Sequence, residues 1–433
     1  MKFFIHTFGC QMNENDSEHI AGLLAASGYQ QANTIEESDV VIVNTCAVRQ
    51  KSEDKLYSLL GRLGTLKKTK NLTIGVAGCV AQLQRSNLFD KNPFIDFILG
   101  PDNYWQISRI ISSCNTDKFI ATHWHNEWKE IPHIQTLREN FTSAYVTIME
   151  GCNNFCSFCI VPFTRGREKY RPMNHILNEI KSLAQQGYKE IQLLGQNVNS
   201  YKAPKTGKDF VSLLKEVDRI DSIQWIRFIT SHPKNFTKEI SAAMKDSEKV
   251  CRQLHLPVQS GSTSVLQRMK RGYSRVEYLQ IIEILRDLMP DICLSTDIIV
   301  GFPGETDKDF QETISLLQTV RFTNLFSFRY SPRPYTAASR MKDSIPLETK
   351  KKRLIELQSI QKELQLKMNQ SLIGQTMKVL CTGQSKKDPK IFSGRNEGYQ
   401  VINFRSEKDV IGKFVKVRIL SCGPYSLQGV VIQ

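Results

Sequence analysis

The sequence contains no hydrophobic run long enough to cross a membrane, and its short apolar start at residues 1–5 turns polar at His6 and Thr7. A membrane-spanning helix takes about 20 apolar residues, and a signal peptide takes an apolar core of about 7–15. These absences predict a cytoplasmic protein with no membrane partner.

Acidic residues are scarce relative to basic ones: 43 Asp and Glu stand against 58 Lys and Arg, for a formal net charge of +15. Basic side chains displace the counterions condensed on phosphates, so this excess favours a polyanionic partner. A solvated basic surface explains the charge equally well. Charge alone therefore leaves nucleic-acid binding as one of two interpretations.

A disulfide-stabilised secreted fold is disfavoured, because such folds are small and carry a signal peptide. With 433 residues and 40% hydrophobic content, the chain can bury two or three ordinary domain cores. Its eleven cysteines therefore indicate metal binding or redox chemistry.

Short apolar runs alternate with helical patterns through the first hundred residues. The runs lie at 3–5, 40–43, 73–76 and 94–99, and the first helical pattern ends at Gly28. This alternation predicts an N-terminal open parallel α/β domain, which we place at residues 1–114.

Residues 115–140 show no clear period and are expected to connect two domains. They contain His123, His125 and His133, but no Cys or second His pair stands at ligand spacing. We interpret these three as surface histidines rather than as a metal site.

A longer alternation of strands and helices begins at Ala144. Its strand candidates are 144–149, 190–194, 223–230, 252–258, 294–300 and 324–330. Six βα units predict a partial (β/α)6 parallel barrel within residues 138–369, with all strand-to-helix loops on one face. Ser274 and Glu277 have the spacing of a capping box at a helix start.

The last part of the chain is basic. Residues 346–369 form a helical pattern that includes a Lys350-Lys-Lys-Arg353 run, and short apolar runs separated by turn residues follow it. Residues 371–433 hold seven Lys and three Arg against two Asp and two Glu, a net charge of +6. A small basic β-barrel that holds nucleic acid is predicted at 370–433.

Three cysteines, Cys152, Cys156 and Cys159, follow the first barrel strand at a tight spacing. Three thiolates can bind three irons of a [4Fe–4S] cluster and leave the fourth iron open to a substrate or cofactor. Zinc is the competing metal, but it usually takes a fourth Cys or His, and none lies within about ten residues.

Three further cysteines, Cys10, Cys46 and Cys79, each lie just beyond the carboxyl end of a predicted parallel strand. Those ends share one edge of a sheet, where ligands collect, so the three thiols could hold a second cluster. The alternative is that they are small buried residues. The other cysteines show no pattern and are expected to be core residues or neutral: Cys114, Cys251, Cys293, Cys381 and Cys422.

Together these features resemble the radical-S-adenosylmethionine methylthiotransferase family, including its C-terminal TRAM domain. The matching strings are FGCQMN at 8–13, NTCAVR at 44–49, GCNNFCSFCIVP at 151–162, LGQNVNSY at 194–201, LHLPVQSG at 254–261 and STDIIVGFPGE at 295–305. Among its members, the resemblance is strongest to those that methylthiolate C2 of N6-isopentenyl(dimethylallyl)adenosine at position 37 of tRNA.

The resemblance implies two [4Fe–4S] clusters and S-adenosylmethionine as cofactors. Cys152, Cys156 and Cys159 would bind the radical cluster, and Cys10, Cys46 and Cys79 an auxiliary cluster that carries the sulfur. One S-adenosylmethionine would methylate that sulfur, and a second would be cleaved to a 5′-deoxyadenosyl radical that attacks the base. The S-adenosylmethionine pocket would be lined by Gly195, Gln196, Asn197, Gln259, Ser260, Gly261, Gly301 and Gly304.

The implied partners are the anticodon stem-loop of a tRNA and a low-potential electron donor such as flavodoxin or ferredoxin, and the enzyme is expected to be a monomer. Arg165, Arg167 and Glu168 match a charged stretch near the family's active site. Two positions depart from the family, since Tyr335 replaces a usual Gly and Tyr170 a more common Ser. Both concern local turns or substrate contacts.

Two alternatives remain open. The same chemistry could act on threonylcarbamoyladenosine or on an aspartate of a ribosomal protein, although the Gln-Met-Asn13 sequence after Cys10 argues against both. A non-enzymatic iron–sulfur RNA-binding module would explain the charge and the cysteines, but not the loops that resemble an S-adenosylmethionine pocket.

Overall fold

The structure, a computed structural model, describes residues 1–113, 117–129, 136–138, 141–385, 388 and 390–432. These residues form an N-terminal α/β domain, a central half-open barrel and a small C-terminal barrel.

The N-terminal domain is a six-stranded, fully parallel sheet in the order β2-β1-β3-β4-β5-β6. Its elements are β1 (Lys2–Phe8), α1 (Gln11–Ala26), β2 (Gln30–Gln31), β3 (Val40–Thr45), α2 (Gln50–Leu66), β4 (Thr73–Gly78), α3 (Cys79–Gln84), α4 (Asn87–Lys91), β5 (Phe97–Leu99), α5 (Ile107–Ser113) and β6 (Phe119–Ala121). Every residue of β3 is buried, because helices cover both faces of the sheet. The predicted open parallel α/β architecture is confirmed.

The stretch that we expected to be only a connection contributes β6 to this sheet. Three residues are too few to show a period in the sequence. Cys114 and His133 lie outside the described residues, whereas His123 is exposed and His125 is half-buried.

The central domain carries six parallel strands in chain order, in two three-stranded sheets whose adjoining edges meet at an Ile226–Val250 bridge. Its strands are β7 (Ser143–Thr147), β8 (Met149–Glu150), β9 (Lys169–Tyr170), β10 (Glu190–Leu194), β11 (Trp225–Phe228), β12 (Gln253–His255), β13 (Cys293–Val300) and β14 (Asn324–Arg329), of which β8 and β9 form a separate antiparallel pair. Its helices are α6 (Val161–Thr164), α7 (Met173–Gln185), α8 (Phe210–Asp218), α9 (Lys238–Asp246), α10 (Thr263–Arg268), α11 (Arg275–Leu288), α12 (Asp307–Val320) and α13 (Leu347–Gln370). The predicted partial barrel is confirmed, and so is the Ser274–Glu277 capping box at the start of α11.

The C-terminal barrel is closed, in the order β15-β16-β17-β19-β18. Its strands are β15 (Thr376–Gln384), β16 (Ile391–Asn396), β17 (Val401–Arg405), β18 (Phe414–Cys422) and β19 (Leu427–Ile432). Alternate side chains such as Phe392, Phe404 and Val417 fill its interior. This confirms the small β-barrel predicted from the tail.

The C-terminal barrel packs at the amino-terminal end of β11. The Trp225 ring meets the Phe414 ring edge-on with 4.7 Å between centroids. The buried Arg227 pairs with Glu190 and donates to the backbone carbonyls of Asn396 and Glu397, at 2.8 and 2.6 Å. The barrel therefore sits at the opposite end of β11 from the strand-to-helix loops.

Half of the basic run on α13 is structural. Lys350 is buried and pairs with Asp343, and the buried Arg353 bonds Glu305 at 2.8 Å. Lys351 and Lys352 remain exposed. Among the described residues, no helix combines the length and apolar character that a bilayer crossing requires.

Candidate active site

The three N-terminal cysteines converge at the carboxyl edge of the parallel sheet. Cys10 stands at the N-terminus of α1, Cys46 directly follows β3, and Cys79 is the first residue of α3. The Cys46 thiol is within hydrogen-bonding reach of the Cys10 and Cys79 thiols. Cys10 is exposed, and the other two are buried. We call these residues the N-terminal triad.

Hydrogen bonding within the N-terminal triad divides its thiols into two kinds. The bond with Cys46 lowers the pKa of Cys79 to about 5 and the pKa of Cys10 to about 7. The same bonds raise the pKa of Cys46 well above its ordinary value. Two of the three thiols are thus favoured as thiolates near neutral pH, and the thiolate is the form that binds iron.

A buried amide network lies beside the N-terminal triad. Asn13 accepts from the Cys10 thiol at 3.4 Å and donates to the Asn44 side chain at 3.1 Å. Asn44 donates back to the Asn13 carbonyl and to Ser17 Oγ, both at 2.9 Å. A side chain at Gly78, whose φ is +89°, would lie 2.2 Å from the Asn44 oxygen, so only glycine fits before Cys79.

Cys152, Cys156 and Cys159 lie in the loop after β8, at the carboxyl end of the first barrel strand. Arg271 donates to the Cys156 sulfur at 3.2 Å, and Asn154 to the Cys152 sulfur at 3.4 Å. Burial raises the pKa of Cys152 and raises the pKa of Cys159 to about 12. We call these three the barrel triad.

The donor set of each triad fits an iron–sulfur cluster. Each offers three sulfur ligands, and an amide and a guanidinium group hydrogen-bond the sulfurs of Cys152 and Cys156. His232 Nε2 lies 3.8 Å from the Cys156 sulfur, and burial lowers the pKa of that imidazole. The histidine is therefore neutral and adds no charge to the site.

A short segment after Cys159 joins the two triads. Ile160 is buried in the core of the N-terminal domain, in the same cluster as Cys79. Thr164 and Arg165 hydrogen-bond the Cys79 thiol. Arg165 also pairs with the buried Asp16 at 2.5 Å. Four residues therefore separate Cys159 from Thr164, whose side chain touches the N-terminal triad.

The other charged residues matched in the sequence lie on the same loop. Arg167 stands over the Phe155 ring at 5.2 Å. Glu168 accepts from Asn197 at 3.1 Å and from the Tyr170 hydroxyl at 2.5 Å. The hydroxyl of Tyr170, one of the two departures from the family, thus holds the carboxylate that orients Asn197.

Three family models match the chain in order. They are "Uncharacterized protein family UPF0004" at residues 2–100, "Radical SAM superfamily" at 146–317 and "TRAM domain" at 370–432. A tRNA-2-methylthio-N(6)-dimethylallyladenosine synthase of Acetivibrio thermocellus is 43% identical over 436 residues, covering 100% of this chain and 91% of the relative. A synthase of the same name from Neisseria gonorrhoeae is 42% identical over 439 residues, covering 100% and 99%.

The chain belongs to the tRNA-2-methylthio-N(6)-dimethylallyladenosine synthase family. It is therefore a radical SAM enzyme. The radical S-adenosylmethionine methyltransferase TsrM from Kitasatospora setae has the same fold, with a TM-score of 0.56 at 13% identity over 78% of this chain and 75% of that one. The cobalamin-dependent radical enzyme OxsB matches with a TM-score of 0.53 at 11% identity, covering 83% and 56%.

The pocket residues predicted for this synthase chain all follow barrel strands. Gly195, Gln196 and Asn197 follow β10, Gln259, Ser260 and Gly261 follow β12, and Gly301 and Gly304 follow β13. Gln196 accepts from the Gly151 backbone at 2.5 Å, beside Cys152. The buried Asn197 has a side-chain oxygen that finds no hydrogen-bond partner among the described residues.

Packing inside the protein explains why two of these positions are glycine. A Cβ at Gly261 would lie 2.4 Å from the Thr313 backbone in α12, and one at Gly301 would lie 2.4 Å from the Lys350 side chain. Close packing of elements therefore requires glycine at both positions. Contact of these loops with S-adenosylmethionine stays a prediction.

Two side chains at this site were not predicted from the sequence. Arg271 and His232 approach Cys156 from 115 and 76 residues away along the chain. Neither stands in a spacing pattern, so nothing in the sequence indicated them. Asn13 and Asn44, by contrast, lie inside the strings that match the family, but the sequence did not indicate a role for either side chain.

Proposed function

We propose that this enzyme adds a methylthio group to C2 of N6-dimethylallyladenosine at position 37 of tRNA, beside the anticodon. Two molecules of S-adenosylmethionine would serve it, one as methyl donor and one as radical source. The observation that carries the proposal is the meeting of the two cysteine triads at one joint, spanned by residues 160–165. The names of its relatives support the choice of nucleoside.

The barrel triad would hold one [4Fe–4S] cluster and leave one iron for S-adenosylmethionine, and the N-terminal triad would hold a second cluster. Bound there, these groups supply the one-electron chemistry that an unreactive C–H bond needs, and the sulfur and methyl group that replace the hydrogen. The chain's contribution is position, because reacting atoms must be brought together in a fixed geometry.

The residues around the triads suit that task. Arg271, itself buried, places positive charge beside Cys156 and offsets thiolate charge in a site with little solvent. Arg165 does the same for Cys79, and its pair with Asp16 holds the two domains in one orientation. Asn197, whose side-chain oxygen has no partner in the part of the chain that the structure describes, is a candidate hydrogen-bond partner for S-adenosylmethionine.

The proposed partners follow from charge and chemistry. The anticodon stem-loop of tRNA would be bound through its phosphates by the basic C-terminal barrel. An electron donor of low potential, flavodoxin or ferredoxin, would reduce the barrel cluster. The protein would work as a cytoplasmic monomer.

Mass spectrometry of tRNA nucleosides from cells lacking and regaining this gene tests the proposal. Restored 2-methylthio-N6-dimethylallyladenosine is expected. Restoration of a methylthiolated threonylcarbamoyladenosine instead, or of neither nucleoside, would contradict the proposed substrate. A binding module would release no 5′-deoxyadenosine when reconstituted protein is mixed with S-adenosylmethionine and dithionite.

Single cysteine variants separate the roles of the two triads. Cys156→Ala is expected to abolish 5′-deoxyadenosine release, because the barrel triad loses a ligand. Cys46→Ala should retain part of that release but make no methylthiolated tRNA. Cys422→Ala, in the C-terminal barrel, is the matched control and should behave as the parent enzyme. Normal tRNA methylthiolation by Cys46→Ala would refute the auxiliary site.

A further inference from the structure

Tyr335 occupies a backbone conformation that suits glycine. Residues 333–336 form a turn in which the Thr336 backbone N–H donates to the Arg333 carbonyl at 3.3 Å. Pro334 holds the second position and Tyr335 the third, with φ of +68°. A turn with proline at the second position and positive φ at the third normally takes glycine or asparagine there. A bulky side chain at this position is strained.

The Tyr335 side chain gains little burial to offset that strain. The residue is 61% exposed, and its ring contact is with Phe163, which is itself 40% exposed, at 6.0 Å between ring centroids. Strain of this kind that persists on a surface points to a role outside folding.

The turn stands at the rim where the two triads meet. Arg333 donates to the Val48 carbonyl at 2.9 Å, two residues beyond Cys46. The Ala338 backbone donates to the Ser157 carbonyl at 2.7 Å, between Cys156 and Cys159. Phe163 lies on α6, the helix that joins the triads. The aromatic pair therefore stands beside the segment that joins the triads, where the proposed function places the target base.

Two exposed arginines lie close to the turn along the chain. Arg329, at the end of β14, and Arg340, four residues after Thr336, are both exposed. Exposed aromatic rings together with exposed guanidinium groups are the surface chemistry that binds single-stranded nucleic acid, because bases stack on the rings while phosphates contact the cations.

We propose that Tyr335, supported by Phe163, stacks on an unpaired base that adjoins the target adenosine in the RNA loop. The inference rests on the tRNA-modifying function proposed above. A neighbouring base fits better than the dimethylallyl group, because a small branched hydrocarbon gains most from an enclosed pocket, whereas a ring with one open face suits a flat base. An adenosine that leaves its stack also leaves its neighbour without a stacking partner.

Binding of a prenylated anticodon stem-loop RNA to the full, cluster-loaded chain tests the proposal. Tyr335→Gly should weaken the dissociation constant about tenfold, equivalent to about 1.4 kcal/mol. Its melting temperature should not fall, because glycine relieves the turn. Tyr335→Phe should bind as the parent does. Tyr335→Leu should bind as weakly as Tyr335→Gly, since it keeps apolar area but has no ring face.

An RNA with an abasic residue on one side of the target adenosine identifies the stacked base. At one of the two flanking positions, the abasic RNA should bind the parent about tenfold more weakly than the intact RNA does. Tyr335→Gly should bind the abasic and intact RNAs equally, because the abasic residue and the substitution remove the same contact. Unchanged binding by Tyr335→Gly, parent-like binding by Tyr335→Leu, or losses that multiply to about a hundredfold would overturn the proposal. Methylthiolation of the same RNA is measured in a separate activity assay. Failure of the parent to methylthiolate it would refute the proposed function rather than the stacking contact.

Discussion

At the residue scale, the buried amides of Asn13 and Asn44 explain why the N-terminal cysteines have their particular neighbours. Asn44 is wholly buried and joins the end of β3 to α1 through its bonds to Asn13 and Ser17. Gly9 and Gly78 each lack a side chain that would collide with this pair. The glycines make room for the amides, and the amides position the thiols.

Asn44→Leu tests this arrangement. The substitution keeps the volume but leaves the Asn13 amide and carbonyl and the Ser17 hydroxyl short of partners, at a cost of about 2–3 kcal/mol. We expect a lower melting temperature of the cluster-free protein and less iron after reconstitution. Asn87→Leu, at an exposed position, is the control. Equal melting temperatures for the two variants would show that the amide network is not structural.

At the scale of elements, the docking of the C-terminal barrel separates its structural charges from those free to bind RNA. Arg227 and Trp225 are buried against it, so deleting the barrel would expose a large ring and remove two carbonyl acceptors from a buried cation. Lys416 and Arg418, by contrast, project outward on alternate positions of β18. Substitution on that strand is therefore a cleaner test than deletion.

Lys416→Gln combined with Arg418→Gln should weaken tRNA binding and reduce the slope of log affinity against log salt by about 1–2, because each lost phosphate contact removes about 0.9. Methylthiolation of saturating tRNA should be unchanged. Lys245→Gln with Lys308→Gln, on outer barrel helices, is the matched control. A salt slope equal to that of the parent would remove the proposed role of β18.

At the scale of the whole molecule, the N-terminal and central domains each hold one of the two cysteine triads. The Asp16–Arg165 pair, the Thr147–Asn15 hydrogen bond at 2.6 Å and the Arg333 contacts with the loop after Cys46 fix their relative position. These contacts are buried or half-buried, so they hold the orientation more firmly than exposed ion pairs would.

Iron content tests the two-site arrangement. Anaerobically reconstituted protein should hold about eight irons, four for each cubane cluster. Replacing all three cysteines of either triad with alanine should leave about four, and the two variants should lose different electron paramagnetic signals. A parent protein with only about four irons, or an N-terminal variant that keeps its full complement, would contradict the second cluster.

The sequence by itself determined most of the strands, the two cysteine sets and the basic tail. Periodicity indicates which faces are buried, and so it predicts β1, β3 and β4. Parallel strands bring their carboxyl ends to one edge of the sheet, so the position of Cys10, Cys46 and Cys79 after these strands predicts that they converge. Tertiary structure alone decided that Arg271 and His232 lie beside Cys156, that Arg165 links the triads, and that Lys350 and Arg353 are buried. Those facts depend on how separate elements pack, and local spacing carries no record of contacts between elements.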